Sequence, residues 1–282
     1  MAIKILIDSA SDINAQEAKE KGIEMISMIV SFGEKEYLDG VNLLPTQFYE
    51  KLIESDELPK TSQVSPFRFE EVFKKLTENG DEVLVITISS KLSGTYQAAK
   101  QAAESFGDKI YVLDSMNACI GERLLCDYAL RLIGQGITLA ELGAEMERAK
   151  EKICLMAVIG TLEYLKKGGR ISSTAAFAGE LLSIKPVVSI VNGEVKVVGK
   201  ALGSKKANNL LNRLVTEKGG IDFSMPFGTV WSGLDKTTLE KYVKDSAALW
   251  SAHTDNVPAY ILGGTIGTHI GPGAVGVAFF SK

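Results

Sequence analysis

Glu82-Val83-Leu84-Val85-Ile86-Thr87-Ile88 runs directly into Ser89-Ser90-Lys91-Leu92-Ser93-Gly94-Thr95-Tyr96, and this stretch decides the fold. Its first part is apolar and rich in β-branched residues, as a strand buried on both faces requires. Its second part is a short polar loop that opens an amphipathic run, Gly94–Phe106, which reads as a helix. A buried strand feeding a helix is the repeating unit of a parallel sheet. The same alternation extends on both sides. Upstream stand a strand at Ile3–Asp8, a helix at Ala15–Lys21 and a strand at Ile23–Phe32. Two helices follow, Pro45–Glu54 and Pro66–Glu78, each with proline at its first position and the second with Ser65 as N-cap. Downstream come a strand at Lys109–Asp114 and helices at Ile120–Ile133 and Leu139–Lys152.

The second half changes character. After a strand at Cys154–Ile159, Pro186–Val191 and Val195–Val198 flank Asn192-Gly193, the pair that most readily takes the left-handed angles of a type I′ hairpin turn. Helices at Ser204–Thr216 and Thr237–Trp250 alternate with strands at Phe227–Gly233, Ala259–Leu262 and Val275–Phe280. A hairpin inside an α/β pattern predicts a mixed sheet. The fold class is therefore α/β in two domains. Residues 1–160 form an N-terminal domain with a mainly parallel sheet covered by helices on both faces. Residues 161–282 form a C-terminal domain with a mixed sheet. A chain of 282 residues suits two cores of ordinary size.

Composition removes several function classes. Apolar residues are 45% and charged residues 23%, with a net charge of -4 and both signs interspersed. No Lys/Arg-rich stripe offers a footprint for nucleic acid. No run reaches the roughly 20 apolar residues of a membrane span. The first residues lack the pattern of a secretory signal, so a cytoplasmic location is expected. Cys119, Cys126 and Cys154 are odd in number, form no C-x-x-C pair and read as small buried hydrophobes. With only His253 and His269, no metal site built on histidines is expected, and no cofactor.

Familiar catalytic motifs fail on context. Gly271-Pro272-Gly273-Ala274-Val275-Gly276 matches G-x-G-x-x-G, but a strand follows it where a dinucleotide site needs a helix. Gly193 to Lys200 resembles a phosphate-binding loop with one residue too many and Ala201 in place of the hydroxyl. Asp8-Ser9-Ala10-Ser11-Asp12 lacks the second acid of an aspartyl-phosphate loop, and Asp12 reads as a helix cap. No G-x-S-x-G elbow is present.

Three polar clusters remain, at strand ends or turns, where open α/β sheets bind ligands. They are Lys60-Thr61-Ser62-Gln63-Val64-Ser65-Pro66, the Ser89–Tyr96 loop, and Gly263-Gly264-Thr265-Ile266-Gly267-Thr268-His269-Ile270-Gly271-Pro272-Gly273. At Ser93, Gly94 and Thr95 a helix start exposes backbone N–H groups suited to an anion; ordinary capping by Ser93 is the plainer alternative. Thr61 and Ser62 add hydroxyl donors, or are simply a polar loop. His269, among glycines, is a donor for a carboxylate or a surface histidine. Hydroxyls, a helix start and one histidine, with few fixed cations, suit one carboxylate better than a triphosphate.

In this order and spacing the clusters resemble the DegV family over nearly the whole chain. The matching pieces are Asp8-Ser9 with Asp12, Thr61-Ser62-Gln63 with Pro66, Ser89 to Tyr96, Asp114-Ser115, Leu162 to Ile171 leading to Lys185-Pro186, and His269 to Gly273. The resemblance implies a two-domain protein with a long-chain fatty acid buried between the domains. It implies a non-catalytic, lipid-binding subunit of bacterial fatty acid kinase, whose ATP-using partner phosphorylates the presented carboxylate for phospholipid synthesis. It places Thr61, Ser62, Ser93 and His269 at the headgroup and Arg170 near it. Where relatives often carry an arginine after the hairpin, this chain has Leu202. Two other classes stand beside the carrier: an acyl hydrolase with Ser93 as nucleophile and His269 as base, and a lipid-free regulatory or scaffold protein. The Lys166-Lys167-Gly168-Gly169-Arg170 segment reads either as a solvated helix end or as a docking patch for an acidic partner.

Overall fold

The computed structural model describes residues 2–171 and 183–282. The first half runs β1 (Ile3–Asp8), α1 (Ala15–Lys21), β2 (Glu24–Ile26), β3 (Ile29–Phe32), β4 (Lys35–Leu38), α2 (Pro45–Glu54), β5 (Lys60–Ser62), α3 (Pro66–Thr77), β6 (Glu82–Thr87), α4 (Thr95–Ala103), β7 (Ile110–Asp114), α5 (Ile120–Ile133) and α6 (Leu139–Lys150). Strands β2-β1-β6-β7 pair in that order, all parallel, and β4-β3-β5 form a small antiparallel sheet. The second half runs β8 (Ile153–Val158), α7 (Glu163–Lys167), β9 (Ile184–Val191), β10 (Glu194–Leu202), α8 (Gly203–Glu217), β11 (Phe227–Trp231), α9 (Thr237–Asp245), β12 (Ala259–Ile261), α10 (Gly264–Ile270) and β13 (Val275–Phe280). Its mixed sheet has the order β10-β9-β8-β13-β11-β12, antiparallel except for the β11–β12 pair.

This is the α/β architecture expected, with a parallel sheet first and a mixed sheet second. Three local expectations change. Ile23–Phe32 is two strands, not one. Between them the Met28 N–H donates to Ser9 Oγ at 3.0 Å and the Ser27 carbonyl accepts from Arg68 Nη1 at 2.8 Å. Side chains thus take the backbone groups a continuous ladder would use, and the chain passes from one sheet to another. The cluster Gly263–Gly273 is largely helix α10 rather than a loop; its glycines hide the apolar period that marks a helix. Strand β8 pairs with β9 and β13, so the sheets change over before Ile153 and not at Gly160.

Side-chain size sorts β13 onto two faces. Val275, Val277 and Phe279 face one way into a core shared with Ala207 and Leu211 of α8 and Leu239 of α9. Ala274 and Ala278 face the other way, into the main core, with Gly276 between them. A Cβ on Gly276 would stand 2.7 Å from the Met156 carbonyl oxygen, so the motif read above as G-x-G-x-x-G serves close strand packing. The Asn192-Gly193 turn has φ of 51° and 79°, as a type I′ turn needs. Ser89 Oγ donates to the Gly193 carbonyl at 2.8 Å, docking the hairpin tip on the loop after β6.

Candidate functional site

In the parallel sheet, β1 connects outward to β2 and β6 outward to β7, so the order reverses between β1 and β6. Such a switch point leaves a crevice at the carboxyl ends of the strands. Asp8 closes its floor. One carboxylate oxygen accepts from the Ala10 N–H at 2.9 Å and the other from the Ile88 N–H at 2.8 Å, tying β1 to β6. Burial raises the Asp8 pKa to about 7 despite those bonds.

Above this crevice lies a cavity with an almost wholly apolar lining. Met28, Ile88, Leu92, Ala118 and Cys119, from loops after the parallel strands, form one wall. The facing wall is the mixed sheet, with Leu155, Ala157, Val188, Ile190, Val195 and Val230. Leu262, Ile266 and Ile270 close it from α10 and its approach. The hydroxyl of Ser189 at this wall is already spent, donating to the Leu155 carbonyl at 2.8 Å.

Four of the polar residues lining the cavity are Thr61, Ser93, Arg170 and His269, and Thr265 lines it from the first turn of α10. Thr61, on β5, and His269, in the last turn of α10, meet with Oγ1 and Nε2 2.9 Å apart. Arg170 Nη1 donates to the Gly168 carbonyl at 2.6 Å and its Nε to the Leu92 carbonyl at 3.1 Å. Leu92 precedes Ser93, whose hydroxyl is 2.9 Å from Thr95 Oγ1. Hydrogen bonds thus join Thr61 to His269, and Arg170 to Gly168 and Leu92. The missing side chain of Gly168 leaves room for the imidazole, since a Cβ there would stand 2.1 Å from His269 Nδ1. Nδ1 is buried without a hydrogen-bond partner. Burial, and then the neighbouring Arg170 charge, push the His269 pKa down to about 4, so the imidazole is neutral at pH 7. Burial also lowers the Arg170 pKa. A negative group entering here would reverse both tendencies.

Thr61, Ser93, Arg170 and His269 are therefore brought together, and Ser62, Gly94 and Thr95 are not among the residues lining the cavity. Strand alternation turns Ser62 outward, next to Thr61 in sequence but exposed. Gly94 leaves room for Gln63, whose Oε1 would lie 2.0 Å from a Cβ at that position. Thr95 is fully buried and accepts from the Val64 N–H at 3.4 Å. Asp12 does not cap α1; Asn14 does, accepting from the Glu17 N–H at 2.9 Å, while Asp12 Oδ1 accepts from the Gly263 N–H at 2.7 Å. His269 pairs with Thr61, so the Ser93–His269 dyad a hydrolase needs is not the pairing made. Asp39, buried under the start of α10, carries no motif in sequence and was not anticipated.

The end of the cavity at Thr61, Arg170 and His269 also borders a surface cleft, which shares those three residues and adds Lys60, Tyr164, Lys167 and Thr268. Lys167 pairs with Glu163 at 2.5 Å. Among the described residues no His/Cys/Asp/Glu group could hold a metal, and no helix is long and apolar enough to cross a membrane.

A family model described as "Uncharacterised protein, DegV family" matches residues 2–282. A DegV domain-containing protein of Caldanaerobacter subterraneus subsp. tengcongensis is 34% identical over 284 residues, covering 99% of each chain. Among solved structures, a DegV family protein from Thermus thermophilus, described by its fatty acid binding, has a TM-score of 0.89 at 31% identity over 100% of both chains. A stearic acid-binding protein from Eubacterium ventriosum has a TM-score of 0.86 at 25% identity, over 100% of this chain and 99% of that one.

Proposed function

The chain belongs to the DegV family, and on that premise we propose that it is a carrier that buries one long-chain fatty acid and presents its carboxylate to a separate ATP-using kinase. One observation carries the reading: an apolar cavity that has Thr61, Ser93, Arg170 and His269 among its few polar lining residues, with Thr61 bonded to His269 and Arg170 bonded to the residue before Ser93. Thr61 and Ser93 supply hydroxyls, Arg170 a cation and His269 an imidazole whose pKa a carboxylate would draw upward. The fatty acid binding of the Thermus thermophilus and Eubacterium ventriosum proteins supports the ligand class.

The cleft at the headgroup end supports the presenting role. It brings the surface to Thr61, Arg170 and His269, so a second protein reaches the carboxylate without withdrawing the tail. In this reading the protein performs no chemistry itself and works in the cytoplasm beside its kinase. Lys167 lines the cleft and, with Lys166 beside it in sequence, offers the cationic half of a docking contact.

Mass spectrometry of organic extracts, beside the native mass of the intact protein, tests the proposal. One fatty acid per chain is expected. A lipid-free protein that also refuses added stearate overturns it.

A further inference from the structure

Helix α10 is fastened at its start and carries His269 in its last turn. At its start three consecutive N–H groups each meet a carboxylate oxygen. Gly263 donates to Asp12 Oδ1 at 2.7 Å, Gly264 to Asp39 Oδ1 at 2.9 Å and Thr265 to Asp39 Oδ2 at 3.0 Å. Asp39 uses both oxygens and is 2% exposed. Its own N–H donates to the Met28 carbonyl at 3.1 Å, and Met28 lines the cavity. The glycines permit this approach, since a Cβ on Gly264 would stand 3.1 Å from Asp39 Oδ1. At the other end His269 meets Thr61.

A helix of seven residues has little stability of its own, and its place is set by what holds it. Asp39 holds it along its axis, because both bonds point into the open end of the helix. A shift of about 1 Å at a binding group is enough to spoil a hydrogen bond or a reacting geometry. We infer that Asp39 is the positioning residue for His269: through α10, its carboxylate sets where the imidazole stands relative to Thr61 and to an incoming carboxylate.

The ligand part of this inference rests on the carrier reading; the His269 part does not. Asp39→Asn keeps the size of the side chain but replaces one acceptor by an N–H₂ group. In the whole, lipid-free protein, the ring ¹⁵N shifts of His269 and its titration midpoint are expected to move in this variant. A cap that only stabilises the fold leaves them in place. In stearate binding, Asp39→Asn and His269→Gln each cost about tenfold, the worth of one hydrogen bond to a charged group. Because both act through one contact, the double variant loses about as much as either alone. Unmoved His269 shifts, or losses that multiply in the double variant, overturn the inference. If Asp39→Asn fails to fold, Gly264→Ala crowds the same carboxylate and is read the same way. If the wild type does not bind stearate, the carrier reading falls and the His269 shifts alone decide on Asp39.

Discussion

Replacing His269 by glutamine is expected to remove an acid sensitivity built into the polar side of the cavity. Burial and the Arg170 charge hold this imidazole at a pKa of about 4, against 6.5 when free. Between those values the unfolded chain binds a proton that the folded chain refuses. The folded state therefore loses stability as pH falls through 6.5 toward 4, and nothing is lost above that window. The whole difference is worth about 3 kcal/mol at about 1.4 kcal/mol per pKa unit, and about 2 kcal/mol of it is reached by pH 5. His269 retains some contact with solvent, which screens the effect to about 1–2 kcal/mol. Asp8 works in the opposite sense. With its pKa raised to about 7, the folded chain keeps a proton the unfolded chain has released, and stability rises as pH falls from 7 toward 4. Comparing variant with wild type at each pH cancels that contribution. The assay is urea unfolding of lipid-free protein at pH 7 and pH 5. Relative to wild type, His269→Gln gains about 1–2 kcal/mol on going from pH 7 to pH 5. Identical pH dependence in the two proteins refutes the reasoning, because it means the imidazole is not held neutral by its site.

Three further outcomes are expected. Ala157→Leu adds about three carbons at the cavity wall and shortens the buried tail by about as many methylenes, a loss of about 2 kcal/mol or on the order of thirty-fold in stearate affinity. Competition against a 12-carbon acid, which the shorter cavity still accepts, reads this directly, and an unchanged preference counts against the cavity as the tail site. Glu122 is fully buried with both carboxylate oxygens unpaired, and burial together with the Asp8, Asp12 and Asp114 charges holds its pKa well above the usual range. The folded chain keeps that proton, so the wild type is destabilised as pH rises above about 4.5; Glu122→Gln is more stable in thermal melts, by a margin that widens as pH rises from there, and a margin independent of pH refutes this. On the proposed carrier role, Ser93→Ala is expected to weaken phosphorylation of the bound fatty acid by a partner kinase more than it weakens fatty acid binding; equal losses refute that division.

Regular elements were legible because their signals are local. The strand at Glu82–Ile88, the proline-opened helices and the Asn192-Gly193 hairpin each follow from residues within one or two turns of one another. Strands β4 and β5 were not anticipated, since short polar strands such as Lys60-Thr61-Ser62 have no periodicity to read and are held only by pairing with β3. Helix α10 was hidden for a different reason. Its glycines are places where Asp39, Phe48 and Tyr164 press against the backbone of α10 and its end, and such contacts are invisible until the chain is folded. The same distance separates the partners at the site. Thr61 and His269 are 208 residues apart, and composition or spacing cannot pair them. The polar clusters were found as clusters, but which member faces the cavity depends on strand alternation at Ser62 and on the Gln63 contact at Gly94.

The split between an apolar cavity and one polar group has an energetic consequence for a carrier. About 15 buried methylenes contribute on the order of 12 kcal/mol before costs, at about 0.8 kcal/mol each. Loss of translational and rotational freedom removes about 4–15 kcal/mol of the gross gain. A carboxylate hydrogen bond adds only about 1.5–3 kcal/mol net. Affinity therefore belongs to the tail, and many fatty acids of similar length would bind comparably. Orientation belongs to the head. A carboxylate driven to the mixed-sheet wall would find Val188, Ile190, Val230 and a Ser189 hydroxyl already bonded to Leu155, and an unpartnered buried charge is far costlier than any difference in tail contact. On the carrier proposal, Thr61, His269, Arg170 and Ser93 would act less as glue than as a direction finder, setting which end of the ligand lies beside the cleft.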